Sequence, residues 1–332
     1  MTASADRALL QRLAAGPVSG DTLAREAGQT RAAVWKRIQA LREAGVAIEA
    51  QPGRGYVLAG SVDLLDAQRI HAALPPALQA DVDTLEVAWS LDSTSSELLR
   101  RTQAGRGVQV LLAERQTGGR GRRGRPWASP LAANLYLSVA RRFEGGLARL
   151  GGLSLVAGVA VVESLRALGI GRAGLKWPND VVVADGERLR KLGGILVEGG
   201  GEHGGPARAV IGIGLNVRMP DATGAGIDQP WIDLRALHDP PPPRDAVAAA
   251  LLGTLLPALS AFDREGLAPV LARYAGCDVL AGREVRVQAG DGVHQGMALG
   301  LAGDGALRVR TPLGERVFHA GEASLRTGGN AG

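Results

Sequence analysis

Of the 38 basic residues in this chain only three are lysine, Lys36, Lys176 and Lys191. Where arginine supplies nearly all positive charge, a retained lysine points to a place that needs a compact ammonium and not a planar guanidinium, with chance survival as the alternative. Two of the three fall in neighbouring motifs, LKWPND (175–180) and RKLGGILVEGG (190–200). Asparagine occurs only four times, at Asn134, Asn179, Asn216 and Asn330, and Asn179 and Asn216 lie in LKWPND and VIGIGLNV (210–217). Upstream, GGRGRRGRPW (118–127) places Arg120, Arg122, Arg123 and Arg125 among glycines. Such arginines are bidentate donors for phosphate and carboxylate, and glycine frees the backbone to wrap a ligand. In LDSTSSELL (91–99) the hydroxyls of Ser93, Thr94 and Ser95 stand at an expected helix start. Thr94-x-x-Glu97 matches a capping box there. Free N–H groups and hydroxyls at that point can bind a polar ligand, and an ordinary cap is the alternative.

Gly119-Arg-Gly121-Arg-Arg-Gly124 also fits G-x-G-x-x-G. A dinucleotide fingerprint requires a helix to begin at its third glycine. Pro126 and Pro130 prevent that, and ANLYLSVA (133–140) alternates like a strand, so the loop joins two strands. The net charge is +5, yet residues 100–126 carry eight arginines against Glu114 alone. That local excess calls for an anionic or phosphorylated ligand. The strand-bracketed position argues against a nucleic-acid arm. No Ser/His/Asp or Cys/His arrangement is evident.

The elements that must hold these residues form three segments of an α+β chain, with boundaries expected at 1–60, 62–274 and 278–328. In the first, two helices meet at Gly28, with Thr30 as cap and Val34, Ile38 and Leu41 facing inward. A hairpin turning at Pro52-Gly53-Arg54-Gly55 follows. This is the order of a winged helix-turn-helix. Arg31, Ala32, Trp35, Lys36, Gln39 and the wing residue Arg54 are the expected DNA contacts. The middle segment mixes strands (VQVLLAE, ANLYLSVA, LGGILVEGG, ARAVIGIGLNV) with an apolar helix over 150–168 and an amphipathic one over 244–262. Its strands follow one another, which favours a mixed sheet over a doubly wound one. The last segment reads as a small β-barrel. A chain with 45% hydrophobic and 21% charged residues is globular, and the single Cys277 excludes a disulfide framework or multi-cysteine metal site. MTASADRALL lacks the features of a signal peptide, and the apolar run 150–162 is too short for a bilayer. The cytoplasm, with no membrane association, is the expected setting.

Taken in order, the helix-turn-helix, ERQTGGRGRRGRPW, KWPND, KLGGILVE and IGIGLN closely resemble the bifunctional biotin–protein ligase and biotin operon repressor family. The resemblance runs from the first helix to GEASLR near the C-terminus. It implies a central ligase domain like that of class II aminoacyl-tRNA synthetases and an SH3-like C-terminal barrel. It also implies biotin and MgATP as substrates, reacting to biotinyl-5′-AMP, with transfer to a lysine of a biotin carboxyl carrier domain of acetyl-CoA carboxylase. Repression of biotin-operon DNA by a homodimer formed on adenylate binding follows from the same resemblance. Carried over by motif, Ser93, Thr94, Ser95 and Gln116 contact biotin, and Arg120, Gly121 and Arg122 fold over biotin and phosphate. Lys191 sits between carboxylate and α-phosphate, where a fixed ammonium offsets gathering negative charge. Lys176, Asn179, Asn216, Trp231, Arg123 and Gly124 are nucleotide-side residues, with Trp231 packing on adenine once DATGAGIDQPW (221–231) orders. Asp180 holds Mg²⁺ or deprotonates the incoming lysine. The catalytic set is Lys191, Arg120, Arg122 and Asp180. Two features depart from the family pattern: Ser95 replaces an asparagine, and the segment between Asp180 and Lys191 is longer, as for an extended hairpin tip. A lipoate–protein ligase and a non-catalytic, small-molecule-sensing transcription factor are the competing readings.

Overall fold

In the computed structural model, which describes residues 2–101, 107–144, 150–201, 206–320 and 324–327, the apolar spacing of the first segment builds three helices. They are α1 (Thr2–Ala14), α2 (Gly20–Glu26) and α3 (Arg31–Glu43). Thr30 caps α3 by accepting the Ala33 N–H at 3.2 Å. Gly28, at φ +61°, supplies the left-handed step after α2. Strands β1 (Ile48–Gln51) and β2 (Gly55–Leu58) pair antiparallel as the wing. Leu10, Val34, Ile38 and Leu41 close a core of their own with Leu131 of the middle segment.

After α4 (Ala67–Ala72) and α5 (Pro76–Asp81) come β3 (Val82–Ala88), α6 (Thr94–Arg100), β4 (Val108–Ala113), β5 (Leu135–Phe143) and α7 (Leu153–Ala167). Next are β6 (Ala173–Lys176), β7 (Asp180–Asp185), β8 (Arg188–Gly201), β9 (Ala207–Leu215) and α8 (Asp221–Gly224). Helices α9 (Arg244–Glu265) and α10 (Ala268–Ala275) complete the segment. The sheet order is β3-β4-β5-β9-β8-β7-β6, parallel only between β3 and β4, so the expected mixed α+β sheet is present. Helices α7 and α9 cover one face and α6 packs on the other. By length and composition α9 could cross a membrane. Its Val247, Leu251, Leu255, Leu259 and Phe262 are instead buried in the main core, against α7 and the sheet.

Strand alternation assigns each face. In β9, Ile211, Ile213 and Leu215 enter the core with α7 and α9, while Gly212 and Gly214 face the α6 side. Strands β10 (Glu284–Ala289), β11 (Gly292–Leu301), β12 (Leu307–Thr311), β13 (Gly314–Phe318) and β14 (Ser324–Thr327) form one antiparallel sheet ordered β13-β12-β11-β10-β14. Trp177, buried, donates its indole N–H to the Gly305 carbonyl, in the turn between β11 and β12, at 3.1 Å and so ties KWPND to the C-terminal unit.

Two sequence expectations need correction. The capping residue of α6 is Ser93, which accepts from the Ser96 N–H; Glu97 pairs with Arg100 and Arg101, so the capping box at Thr94 does not form. The long segment before Lys191 lengthens the paired strands β7 and β8, because Asp185 pairs with Arg188 around a two-residue Gly186-Glu187 tip. The opening of GEASLR (residues 321–323) and Arg106 lie outside the described residues.

A buried ion pair ties distant parts of the middle segment together. Arg244 Nη2 meets Glu114 Oε2 at 2.6 Å, with side chains 1% and 0% exposed. Glu114 Oε1 also accepts the Leu65 N–H at 2.7 Å, and Arg244 donates to the Asp63 and Asn134 carbonyls. Removing one partner leaves a buried charge uncompensated. Glu114→Ala should therefore lower unfolding free energy by about 3–5 kcal/mol. Glu26→Ala, which breaks a half-exposed pair with Arg12, should change it little; urea titration of both variants checks the contrast.

Candidate active site

The glycines of β8 and β9 leave room on the α6 face of the sheet, and a cavity of about 200 Å³ opens there. A Cβ on Gly212 would lie 2.4 Å from Ser95 Oγ, and one on Gly214 would lie 2.6 Å from the Trp127 indole. Alanine at either position would displace a wall.

One wall is a hydroxyl and amide network. Gln116 Oε1 accepts from the Thr94 N–H at 2.9 Å and from Thr94 Oγ1 at 3.1 Å. Ser138 Oγ bonds Thr94 Oγ1 at 2.7 Å and Ser95 Oγ at 3.0 Å, and Gln116 Nε2 reaches Ser129 Oγ at 3.4 Å. Ser93, Thr94, Ser95 and Ser138 are all buried. The sequence reading missed Ser138 and Ser129. Alternation along β5 places Ser138 in register with Gly212, on the same face.

Lys191 reaches the cavity because β8 is irregular. Between Val181 and Val182 the pairing steps from Gly193 to Lys191, leaving Leu192 as an extra residue. A bulge of this kind re-aims side chains, so both Lys191 and Gly194 line the cavity. Lys191 Nζ lies 2.8 Å from Asp180 Oδ1 and 5.4 Å from the centre of the Trp127 ring. Asp180 pairs across the KWPND turn with Lys176, which also lines the cavity. Trp127, unassigned in the sequence reading, has a buried Nε1–H with no partner among the described residues. In place of a dinucleotide helix, GGRGRRGRPW forms a hairpin. The Gly121 N–H bonds the Arg125 carbonyl at 2.8 Å and the Trp127 N–H bonds Gly119 at 2.9 Å, around one 3₁₀ turn at Arg122–Gly124.

The remaining predicted residues divide clearly. Gly121, Arg122, Arg123 and Asn179 line the cavity; Gly124, Asn216 and Trp231 are not among its lining residues. Asn216, 3% exposed, donates its amide to the Lys191 and Ile232 carbonyls and thus supports Lys191 from behind. Asn179 likewise donates to the Ile195 carbonyl, and Arg122 reaches its Oδ1 at 3.3 Å. Burial first, then the charge of Arg123, pulls the Arg122 guanidinium below its usual pKa. Trp231 packs on Gly224 of α8 and donates its indole N–H to the Gly224 carbonyl at 3.0 Å. Arg120 also lines the cavity, with its guanidinium bonded to Glu198 and Ser96. On α3, Arg31, Ala32, Trp35 and Lys36 are exposed, as is Arg54 on the wing. Gln39 is half-buried, with its amide oxygen placed to accept from Trp35 Nε1 and Arg42 Nη1, so it is already engaged.

Models of three families match successive parts of the chain. They are an HTH domain at residues 6–57, the biotin/lipoate A/B protein ligase family at 87–216 and the biotin protein ligase C-terminal domain at 281–326. The bifunctional ligase/repressor BirA of Salmonella typhimurium is 41% identical over 309 residues, covering 93% of each chain. That of Escherichia coli is 40% identical over 312 residues, with the same coverage. The chain belongs to the bifunctional ligase/repressor BirA family. A biotin protein ligase from Aquifex aeolicus, solved with biotin and ATP, aligns with a TM-score of 0.61 at 27% identity, covering 74% of this chain and 99% of that one. In this BirA-family chain, the glycine-lined wall sets the size of the cavity. Gly212→Ala and Gly214→Ala should each lower ligase activity by about 10²-fold, the scale on which misplacement of order 1 Å acts. Gly200→Ala, with nothing within 4 Å of the added carbon, should leave biotin transfer to a carrier domain unchanged.

Proposed function

We propose that this cavity carries both half-reactions of a biotin–protein ligase, with Lys191 drawing the two reacting anions together. The observation that carries the reading is the Lys191 ammonium held between the Asp180 carboxylate and the Trp127 ring, in a cavity also lined by Thr94 and Gln116, which Ser138 supports from behind. Hydroxyl and amide groups suit a ureido ring, so Ser93, Thr94, Ser95 and Gln116 take the biotin head. A biotin carboxylate oxygen then attacks the α-phosphorus of ATP, and the bond to pyrophosphate breaks. As the two anions converge, Lys191 and Arg122 offset their combined charge. Lys176, Asn179 and Arg123 hold the nucleotide side. In the second half, a carrier-domain lysine attacks the acyl carbon, its C–N bond forms, and AMP leaves with the anhydride oxygen. Asp180 accepts the proton that the amine loses.

Mg²⁺ is bound in nucleotide sites through one or two carboxylates and the substrate's phosphates. No cluster of three metal-ligating side chains occurs among the described residues. Asp180, the one carboxylate in the cavity lining, fits an ion that arrives with ATP, and it would supply a single ligand. The ion's contribution would be charge neutralisation on the phosphates.

The three units, 1–60, 62–274 and 278–328, divide the work into DNA binding, activation with transfer, and support of KWPND through Trp177. Pairing of two chains on adenylate binding would present two copies of α3 to paired half-sites, with Arg31, Ala32, Trp35, Lys36 and Arg54 facing DNA. The carrier domain of acetyl-CoA carboxylase is the acceptor, and the cytoplasm, where that carrier and ATP meet, is the site of action. Biotin-dependent ATP–pyrophosphate exchange tests the chemistry. Lys191→Ala should lower it by about 10²–10³-fold, and exchange with lipoate but not biotin would overturn the assignment. Gel shifts with biotin-operon DNA should strengthen when biotin and ATP are added together; binding indifferent to both would refute adenylate-dependent repression.

A further inference from the structure

Arg120 is the first arginine of the loop and lines the cavity, where its guanidinium already has protein partners. Nη2 donates to both oxygens of Glu198, at 2.7 and 3.0 Å, and Nη1 donates to Ser96 Oγ. The side chains of Arg120 and Glu198 are 34% and 27% exposed, so solvent screens this pair less than a surface pair. The two residues lie 78 positions apart. Glu198 follows Gly194 and Leu196, both cavity-lining, along β8 and shares their face of the sheet. Ser96 stands in the first turn of α6, beside the hydroxyl wall. One guanidinium thus joins the loop to the helix and the strand that wall the cavity.

Fixing Arg120 fixes the hairpin. Its backbone bridges Pro126, the Gly121 N–H bonds the Arg125 carbonyl, and the Trp127 N–H bonds the Gly119 carbonyl. The Trp127 indole, packed on Gly214, is set by the same anchor. A carboxylate already neutralises the Arg120 charge. The other cations in the cavity lining are Lys176, Lys191, Arg122, Arg123 and Arg125, of which Lys191 is paired with Asp180.

We infer that Glu198 and Ser96 are positioning residues that hold the GRGRRG loop closed through Arg120, and so govern how tightly biotin is retained without entering the chemistry. The inference rests on the biotin reading for its ligand, while the latch itself can be tested without one. In the intact protein, Glu198→Gln should raise the KM for biotin in ATP–pyrophosphate exchange by about tenfold and change kcat by less than about twofold. Trypsin cleavage within 120–125 of the ligand-free protein should accelerate by a similar factor. Glu198→Asp should recover part of both effects, and Ser96→Ala should move both in the same direction by less. Because the two residues act as one contact, Glu198→Gln with Arg120→Gln should raise KM and cleavage no further than Arg120→Gln alone.

Additive effects in the double variant would show Glu198 acting directly on the ligand, and would overturn the inference. So would unchanged cleavage in Glu198→Gln, or a collapse of kcat at unchanged KM. If the melting temperature of Glu198→Gln falls sharply, Ser96→Ala decides the question by the same two readouts. Absence of exchange in the unaltered protein would remove the biotin reading and leave the cleavage comparison to judge the latch.

Discussion

Strands β8 and β9 present bare backbone at Gly194, Gly212 and Gly214, and the cavity is the space this leaves on one face of the sheet. Glycine weakens a strand by roughly 0.5–1 kcal/mol per position relative to alanine. Here Ile195, Ile211, Ile213 and Leu215 offset that cost by burying their side chains on the opposite face. Period-two alternation lets one pair of strands serve as core wall and cavity wall together. The other parts of the site take their positions from this bare surface: Ser95 approaches Gly212, Trp127 lies on Gly214, and Lys191 passes over Gly194.

The charges in the cavity are ordered by pairing. Asp180 neutralises Lys191 within 2.8 Å, and Glu198 neutralises Arg120 within 2.7 Å. Arg123 and Arg125 are exposed and have no ion pair among the described residues. The arginine-rich loop therefore has an ion-paired part near its stem and a solvent-exposed part at its tip, although the residue type is the same throughout. Position on the hairpin decides which role each guanidinium takes.

Local patterns are legible in the sequence. The helix-turn-helix follows from helix periodicity, Gly28 and the Thr30 cap; the mixed sheet follows from successive strand-like runs; the prolines at 126 and 130 excluded a dinucleotide helix. All of these are interactions within a few residues. The misses concern partners distant in the chain. Nothing near Glu198 points to Arg120, and nothing near Ser138 points to Thr94 or Ser95, because those contacts exist only once β5, β8 and α6 are assembled. Scarcity singles out the asparagines but does not show that Asn134 and Asn216 use their amides to hold the backbone beside the cavity. The sequence reading likewise could not show that Trp35 and Arg42 occupy the amide of Gln39.

The second stem of the loop belongs to two units at once. Leu131, 4% exposed, is part of the helix-turn-helix core, and its N–H bonds the Ala44 carbonyl at the end of α3 at 2.8 Å. Pro130 lies so close to Gly45 that a Cβ there would sit 2.7 Å from the proline Cβ. From the other side, Ala132 donates to the Glu114 carbonyl at 3.0 Å and Tyr136 donates its hydroxyl to the Pro130 carbonyl at 2.9 Å. Glu114 is fixed in turn by Arg244. A stem held this firmly cannot shift alone. It must break the Leu131–Ala44 bond, at about 1–3 kcal/mol for a buried group left unsatisfied, or carry the DNA-binding unit with it. The geometry that closes the loop and the placement of α3 are therefore parts of one mechanical assembly.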